Sequence, residues 1–342
     1  MGNKPSIYQS INRRRRGILL LAVAATVFAC LLDLCTGSSG LTLGEILPLL
    51  WGGPGAGGSQ GAIVWRIRLP MTLTCVFVGG SLGLAGLQVQ TITGNPLASP
   101  YTLGITAGAS FGAAIAITVG FTLFGLQWAG TAALAFLFAL GVSLAIYALG
   151  KRRGLSTTTL VLTGIVMNFF FTALREFLQY RASAEIAQII ANWSFGSLGR
   201  STWASAAVAA GILAVSFLLL LGKSWQLTAL TAGEERAKSL GVPVDRLRLQ
   251  VFVISACLIA GAVGFIGTVA FVGLVAPHCS RMLAGEDQRY LMPLSTILGS
   301  FLLLLSSTVA KWISTGAMMP VGILTSIVGV PFLFVLLLRE GR

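Results

Sequence analysis

The sequence predicts an all-α polytopic membrane protein of about ten transmembrane helices, and three observations lead there. Apolar residues fill 55% of the 342 positions and charged ones only 10%, where soluble domains are about a quarter charged. Apolar windows long enough to cross a bilayer recur along the whole chain. Of the 23 Lys and Arg, all but Arg66, Arg68, Arg175, Arg181, Arg200 and Lys311 fall in segments that this arrangement puts on one side, as cytoplasmic loops demand. The net charge of +13 therefore has a topological reading. No interleaving of aromatic and basic residues marks a nucleic-acid surface.

Taken in order, the polar N-terminal stretch ends in Arg13 to Arg16, and an apolar run from Gly17 to Leu34 follows as the first span. A cleaved leader is the rival reading, since Val27-Phe28-Ala29-Cys30 resembles a lipoprotein cleavage site; the length of the run and the helices after it favour a span. Residues 36–63 form a Gly-rich outer loop. Further spans are predicted at Leu69–Gln90, Tyr101–Val119, Gln127–Leu149, Thr157–Phe177, Trp203–Leu221, Leu249–Gly264, Thr268–Met282, Leu291–Trp312 and Val321–Leu338. The pair between Leu249 and Met282 is short and interrupted by glycines and Pro277, which leaves nine or eleven spans as alternatives. An even count puts both termini on the cytoplasmic side. Trp51, Trp65, Trp128, Trp193, Trp203 and Trp312 then gather at the outer ends, as an interfacial belt does.

Small residues predict close helix contacts. Gly79, Gly83 and Gly86 line the second span and Gly104, Gly108 and Gly112 the third, where lipid offers no hydrophobic drive for association. The five cysteines lie in or beside apolar runs without CxxC spacing and read as small buried hydrophobes.

One long polar segment separates apolar blocks, Gly222 to Arg248. Leu227 to Leu240 reads as two short helical pieces, with Thr231 as a cap for the second, Glu234 and Glu235 in its first turn, and Gly241 with Pro243 ending it. Two readings stand on the residues alone: a rigid knob on which a soluble partner pushes, or an ordinary cytoplasmic connector.

Several chemistries are missing. No span has an ionisable residue at its centre, with Asp33, Arg175 and Glu176 near helix ends, so coupling to an ion gradient is poorly supported. His278 has no HExxH or second histidine beside it and reads as structural or gating. Gly222-Lys223-Ser224 resembles the tail of a phosphate loop, but the leading glycine's position is Phe217, inside an apolar run. Energy for transport, if used, has to come from a partner.

The run Arg66 to Ala114, RIRLPMTLTCVFVGGSLGLAGLQVQTITGNPLASPYTLGITAGASFGAA, resembles the permease subunits of ABC importers for iron chelates, haem and cobalamin, the FecCD-type family. The resemblance recurs in Asn192-Trp193, Gly196-Ser197-Leu198, Gly233-Glu234, Phe265-Ile266-Gly267, Phe271 to His278 and Pro320 to Thr325. It implies the type II ABC importer permease fold: one transmembrane domain over residues 1–342 whose loop 222–248 docks on an ATPase dimer through Glu234, Ala237, Leu240 and Gly241. It implies a cytoplasmic gate at Asn95, Pro96, Leu97, Thr157 and Thr158, although plain helix capping explains the two threonines equally well. Arg68 and Lys311 match cations that grip acids on a substrate-binding protein. Met71 stands where many relatives carry an arginine, and Arg66 could compensate. Arg175, Glu176 and Arg181 would line an outer vestibule, with a local Arg175–Glu176 charge pair as the alternative.

The expected partners are two ATP-binding subunits holding ATP and Mg, a periplasmic or lipid-anchored binding protein, a second permease subunit and the bilayer, with no nucleic acid and no cofactor or metal on this chain. The expected location is a bacterial inner membrane. The resemblance implies a non-catalytic subunit that imports a metal chelate, an iron(III)-siderophore complex first, with haem or cobalamin as alternatives. An ion-coupled secondary transporter and a scaffold that merely recruits an ATPase are the rival classes.

Overall fold

Each apolar run becomes a helix in the computed structural model, which describes residues 7–37, 39–152, 157–314 and 319–340. The elements are α1 (Ile7–Cys35), α2 (Leu43–Gly52), α3 (Gly58–Ile63), a π-helical turn (Val64–Arg68), α4 (Leu69–Thr93), α5 (Ile105–Val119), α6 (Gln127–Arg152), α7 (Thr157–Arg181) and α8 (Ala184–Ser194). A 3₁₀ turn (Leu198–Arg200) leads to α9 (Trp203–Leu221), α10 (Ser224–Thr231), α11 (Glu234–Ser239), α12 (Val244–Ile266), α13 (Val272–Ala284), α14 (Gln288–Ile313) and α15 (Val321–Glu340). A helix stands at each of the ten predicted positions, in order α1, α4, α5, α6, α7, α9, α12, α13, α14 and α15. Among the described residues, seven helical runs are long and apolar enough to cross a membrane; α5 and the described part of α15 are shorter apolar helices.

α4 is the centre of the bundle and packs on α14, α12, α13 and α9. Its glycines make this possible. A Cβ on Gly86 would stand 1.7 Å from the Gly273 carbonyl oxygen of α13, and one on Gly83 would stand 2.3 Å from that of Ser295 on α14. Ser295 and Ser300 donate to the Gly83 and Val76 carbonyls at 2.9 and 2.6 Å, so polar contacts as well as shape hold α14 to α4. In the 18-residue apolar window of the run ending at Thr93, 83% of the residues are buried, against 11% in that of α7. α4 is therefore enclosed by its own chain, whereas α7 presents its face outward.

The structure differs from the sequence reading at the helix ends. The third span starts at Ile105, not Tyr101, because Ser99 and Thr102 bond each other through backbone and side chain at 2.9 and 3.1 Å and hold a turn there. Gly104, expected within the span, caps it at φ 71°. Only Gly108 and Gly112 carry the expected stripe, against α6. Loop 36–63 contains α2 and α3; Thr42 and Glu45 form a capping box at the start of α2, and the Trp65 indole donates to Leu49 at 2.9 Å. α12 is a full-length helix that starts right after Pro243, longer than the predicted Leu249–Gly264. α8, capped by Ser183, was not anticipated.

The predicted sidedness groups residues in space. Arg15 meets Asp287 at 3.4 Å at one end of the bundle. At the other end Trp65 stacks on Trp203, with ring centroids 6.1 Å apart.

Candidate functional site

At the end that carries the basic clusters, α10 and α11 form a compact foot between α9 and α12. Gly233, at φ 113°, sets the joint and serves as the N-cap of α11. Thr231, predicted as that cap, instead donates to the Thr228 carbonyl within α10 at 2.8 Å. Ala237 is fully buried against the bundle, while Leu240 is 58% exposed and Gly241, at φ 80°, closes the helix. The foot thus anchors by a small apolar side chain and offers a leucine to the outside.

Glu234 is the electrostatic hinge of the foot. Its carboxylate lies 2.8 Å from Lys238 one turn on and 2.9 Å from Arg248 of α12. The hydrogen bond from Lys238 does most to hold the Glu234 carboxyl below its ordinary range, with Arg248 assisting against partial burial. Arg248 was counted in the sequence only among inner cations. It is buried, and its Nε donates at 3.1 Å to the carbonyl of Ile92, in the last turn of α4. One guanidinium therefore connects the foot to the helix that leads into the predicted gate loop. Only its long-range neighbours reveal this; the sequence signal, one of two arginines a few residues after a helix break, is too common to single out.

That loop, residues 94–98, is held by its own atoms: the Asn95 side chain accepts from Leu97 N–H at 2.9 Å, and Ala98 N–H donates to the Asn95 carbonyl at 3.1 Å. Asn95, Pro96, Gly233, Glu234 and Arg248 line one cavity of about 470 Å³. Arg281 of α13 joins it, bonding the Gln90 side chain of α4 and pairing with Glu286 at 3.3 Å. Next to it the fully buried Gln288 of α14 donates to Thr91 Oγ1 at 3.1 Å, and its backbone N–H donates to Thr228 of α10 at 3.1 Å. The end of α4 is thus bonded to α12, α13 and α14, and through Arg248 and Gln288 to both helices of the foot.

The structure does not bring the second predicted gate element into this cavity. Leu155 and Ser156 lie outside the described residues. Thr157 begins α7, and Thr158 lines a separate cavity with Leu162, Thr163 and Val166.

A larger cavity of about 550 Å³ opens between α5, α7, α8 and α15. Its polar lining is mostly neutral, including Thr106, Ser110, Asn168, Thr172, Gln179 and Ser326, and Arg175 is the only charged residue among the described ones that line it. Arg175 approaches Glu176 to 3.6 Å, but Glu176 is exposed and does not line the cavity. Arg181 ends α7 in an exposed position.

The outer cations divide. Arg66 is exposed. Arg68, expected to reach a partner, is 4% exposed and donates to the carbonyls of Leu34 and Cys35 at 2.6 and 3.0 Å and to Ser39 at 2.6 Å. Lys311, expected to do the same, lies 2.7 Å from the fully buried Asp33, which also accepts from Thr72 at 2.5 Å. Both cations are committed inside the chain because the end of α1 supplies open carbonyls and a carboxylate that would otherwise be buried without partners. His278 makes an edge contact with the Phe332 ring at 5.6 Å.

Comparison with known proteins completes the description. The model of the FecCD transport family matches residues 25–339. An ABC transporter permease protein of Methanocaldococcus jannaschii is 38% identical over 333 residues, 94% of each chain. The Fe(3+)-citrate import system permease protein YfmD of Bacillus subtilis is 31% identical over 339 residues, 98% of this chain and 99% of that one. Other relatives are named for hemin, cobalamin and molybdate import. A solved inward-facing ABC transporter of metal-chelate type superposes with a TM-score of 0.84 at 31% identity, covering 95% of this chain and 99% of the other.

Proposed function

The chain belongs to the FecCD transport family, the permeases of ABC importers, and from that premise we propose that it carries an iron(III)-siderophore complex through a bacterial inner membrane, its termini in the cytoplasm. The observation that carries the mechanism is the shared cavity in which the foot, Gly233 and Glu234, meets the gate loop, Asn95 and Pro96. In this reading two ATP-binding subunits, which hold ATP and Mg, dock on α10 and α11. Leu240 and Gly241 form the exposed contact, and Ala237 and Glu234 fix the foot to the bundle. A helix of this length moves as a rigid body, so displacement of α11 reaches the end of α4 through Arg248 without being absorbed by bending. Thr157 and Thr158 close the pathway from the other side.

Two permease subunits, identical or similar, enclose one pathway by facing their α7 and α15 walls. The outward-facing surface of α7 supports this arrangement, as does the neutral lining of the 550 Å³ cavity, which suits a bulky chelate that must be released and not gripped. Arg175 would attract an anionic chelate. Arg66 would steer a periplasmic or lipid-anchored binding protein, with Arg68 and Lys311 shaping that surface from beneath. Exposed pairs of this kind contribute about 0 to 1 kcal/mol each, so they orient more than they hold. Haem or cobalamin is the second reading, favoured by the relatives named for those cargoes.

The test is uptake by the full complex, with its ATPase and binding protein, in liposomes offered ferric siderophores, haem, cobalamin and molybdate. ATP-dependent uptake of the siderophore is expected. Uptake of haem or cobalamin alone would replace the cargo. Uptake by the permease alone, driven by a proton gradient, would overturn the mechanism.

A further inference from the structure

On the far side of α8 from the 550 Å³ cavity lies a second opening, of about 250 Å³, that the transport reading does not use. Ala191 and Ser194 of α8 face the first, whereas Ile189 and Trp193 face the second. The rest of its wall comes from the outer ends of α5, α6, α9 and α12. α6 and α9 are apolar helices whose spanning windows are only 28% buried within the chain, and the proposed pairing through α7 and α15 leaves this flank to the bilayer.

One cation sits in the opening. Arg200 stands in the turn before α9 and has no ion pair or hydrogen bond among the described residues. It shares the lining with Gln127 and Trp128 at the start of α6, with the hydroxyls of Thr131, Thr202 and Ser205, and with Phe265 and Ile189. Trp128 is 43% exposed and its ring lies 6.2 Å from that of Phe265. The opening thus combines an exposed, unpartnered guanidinium and an exposed amide with tryptophan and other apolar side chains. Guanidinium groups take phosphate oxygens two at a time, and basic pockets between membrane helices hold lipid headgroups.

We propose that this pocket holds the phosphodiester of an outer-leaflet phospholipid, with Arg200 and Gln127 on the phosphate and the upper acyl methylenes against Ile189 and Phe265. A carboxylate of the binding protein is the less favoured occupant, because the opening lies on the flank of α6 and α9 and not beside the pathway cavity. The lipid would brace α8, whose other face lines the pathway.

The test is native mass spectrometry of the full-length permease, delipidated in detergent and titrated with phosphatidylglycerol or with inorganic phosphate, for wild type and Arg200→Gln. Wild type should retain one phospholipid per chain, and Arg200→Gln should bind it about tenfold more weakly, the loss of one charge-assisted bond. Arg200→Lys, which keeps the charge but not the fork, should lie between them and serves if the glutamine variant does not fold. Wild-type-like lipid retention in either variant overturns the proposal. So does displacement of the lipid by millimolar free phosphate, which would make this a simple anion site, or a loss of binding-protein affinity in Arg200→Gln with lipid retention intact.

Discussion

The two ends of this bundle use the same chemistry to opposite effect. At the end away from the foot, Asp33 and Lys311 are 0% and 7% exposed and clamp α1 to α14, with Thr72 of α4 on the same carboxylate. At the foot, Arg248 is as buried as Lys311, but its acid, Glu234, is 36% exposed and shared with Lys238. A buried pair with both members sealed has no exchange partner and fixes the helices it joins. A pair with one member in water can be handed over to a docking protein. On the proposed mechanism, the difference separates the end that is scaffold from the end that is lever.

Removing one member of the sealed pair breaks the comparison most severely. Asp33→Ala leaves Lys311 charged in a dry site and should destabilise the permease by about 3–5 kcal/mol, seen as a large fall in thermal unfolding temperature in detergent. The double variant Asp33→Leu with Lys311→Met should recover most of that loss, and no recovery would refute the assignment of a sealed pair. Next comes Arg248→Met, which abolishes the link between Glu234 and Ile92 at about 1–3 kcal/mol. The expected outcome is intact assembly with the ATPase but at least tenfold less cargo moved per ATP hydrolysed; an unchanged ratio would show that Arg248 only supports packing. Leu240→Asp should do the reverse and abolish ATPase association while the permease stays folded.

Two smaller effects sharpen the contrast. Arg66→Glu should weaken binding-protein docking by about 0 to 1 kcal/mol and more so at low salt, measured by affinity across a salt series. Acid should act on the foot. Glu234 has a lowered pKa when folded, so its contribution is complete above the ordinary glutamate range and disappears as pH falls through the depressed value. Because the group is more than a third exposed, the screened effect is only about 0.5 kcal/mol. ATPase affinity measured from neutral pH downward should stay flat until well into that acidic range, and Glu234→Gln should remove the dependence.

Much of this was legible in the sequence. Ten helices and the position of the foot follow from hydropathy, from the basic clusters, and from the Gly-Val-Pro break at Gly241, because those signals are local. Glu234 and Asn95 are named as site residues by the resemblance alone. Arg248 and Gln288 are not singled out, since their partners lie in helices far away along the chain and nothing nearby distinguishes them. The burial of Arg68 and Lys311 escaped for a related reason. A cation after an apolar run reads as a surface group, and only the fold shows that the end of α1 arrives beside it.

The backbone contacts of α4 at Gly83 and Gly86 carry a further consequence. A spine this tightly jacketed has no surface left to bargain with: any side chain larger than hydrogen at those two points collides with a neighbour's main chain. If cargo passes along the proposed pathway, a change of cargo in a descendant of this permease would have to be written on the opposite bank, among the hydroxyls and amides of α7 and α15, while the spine stayed as it is.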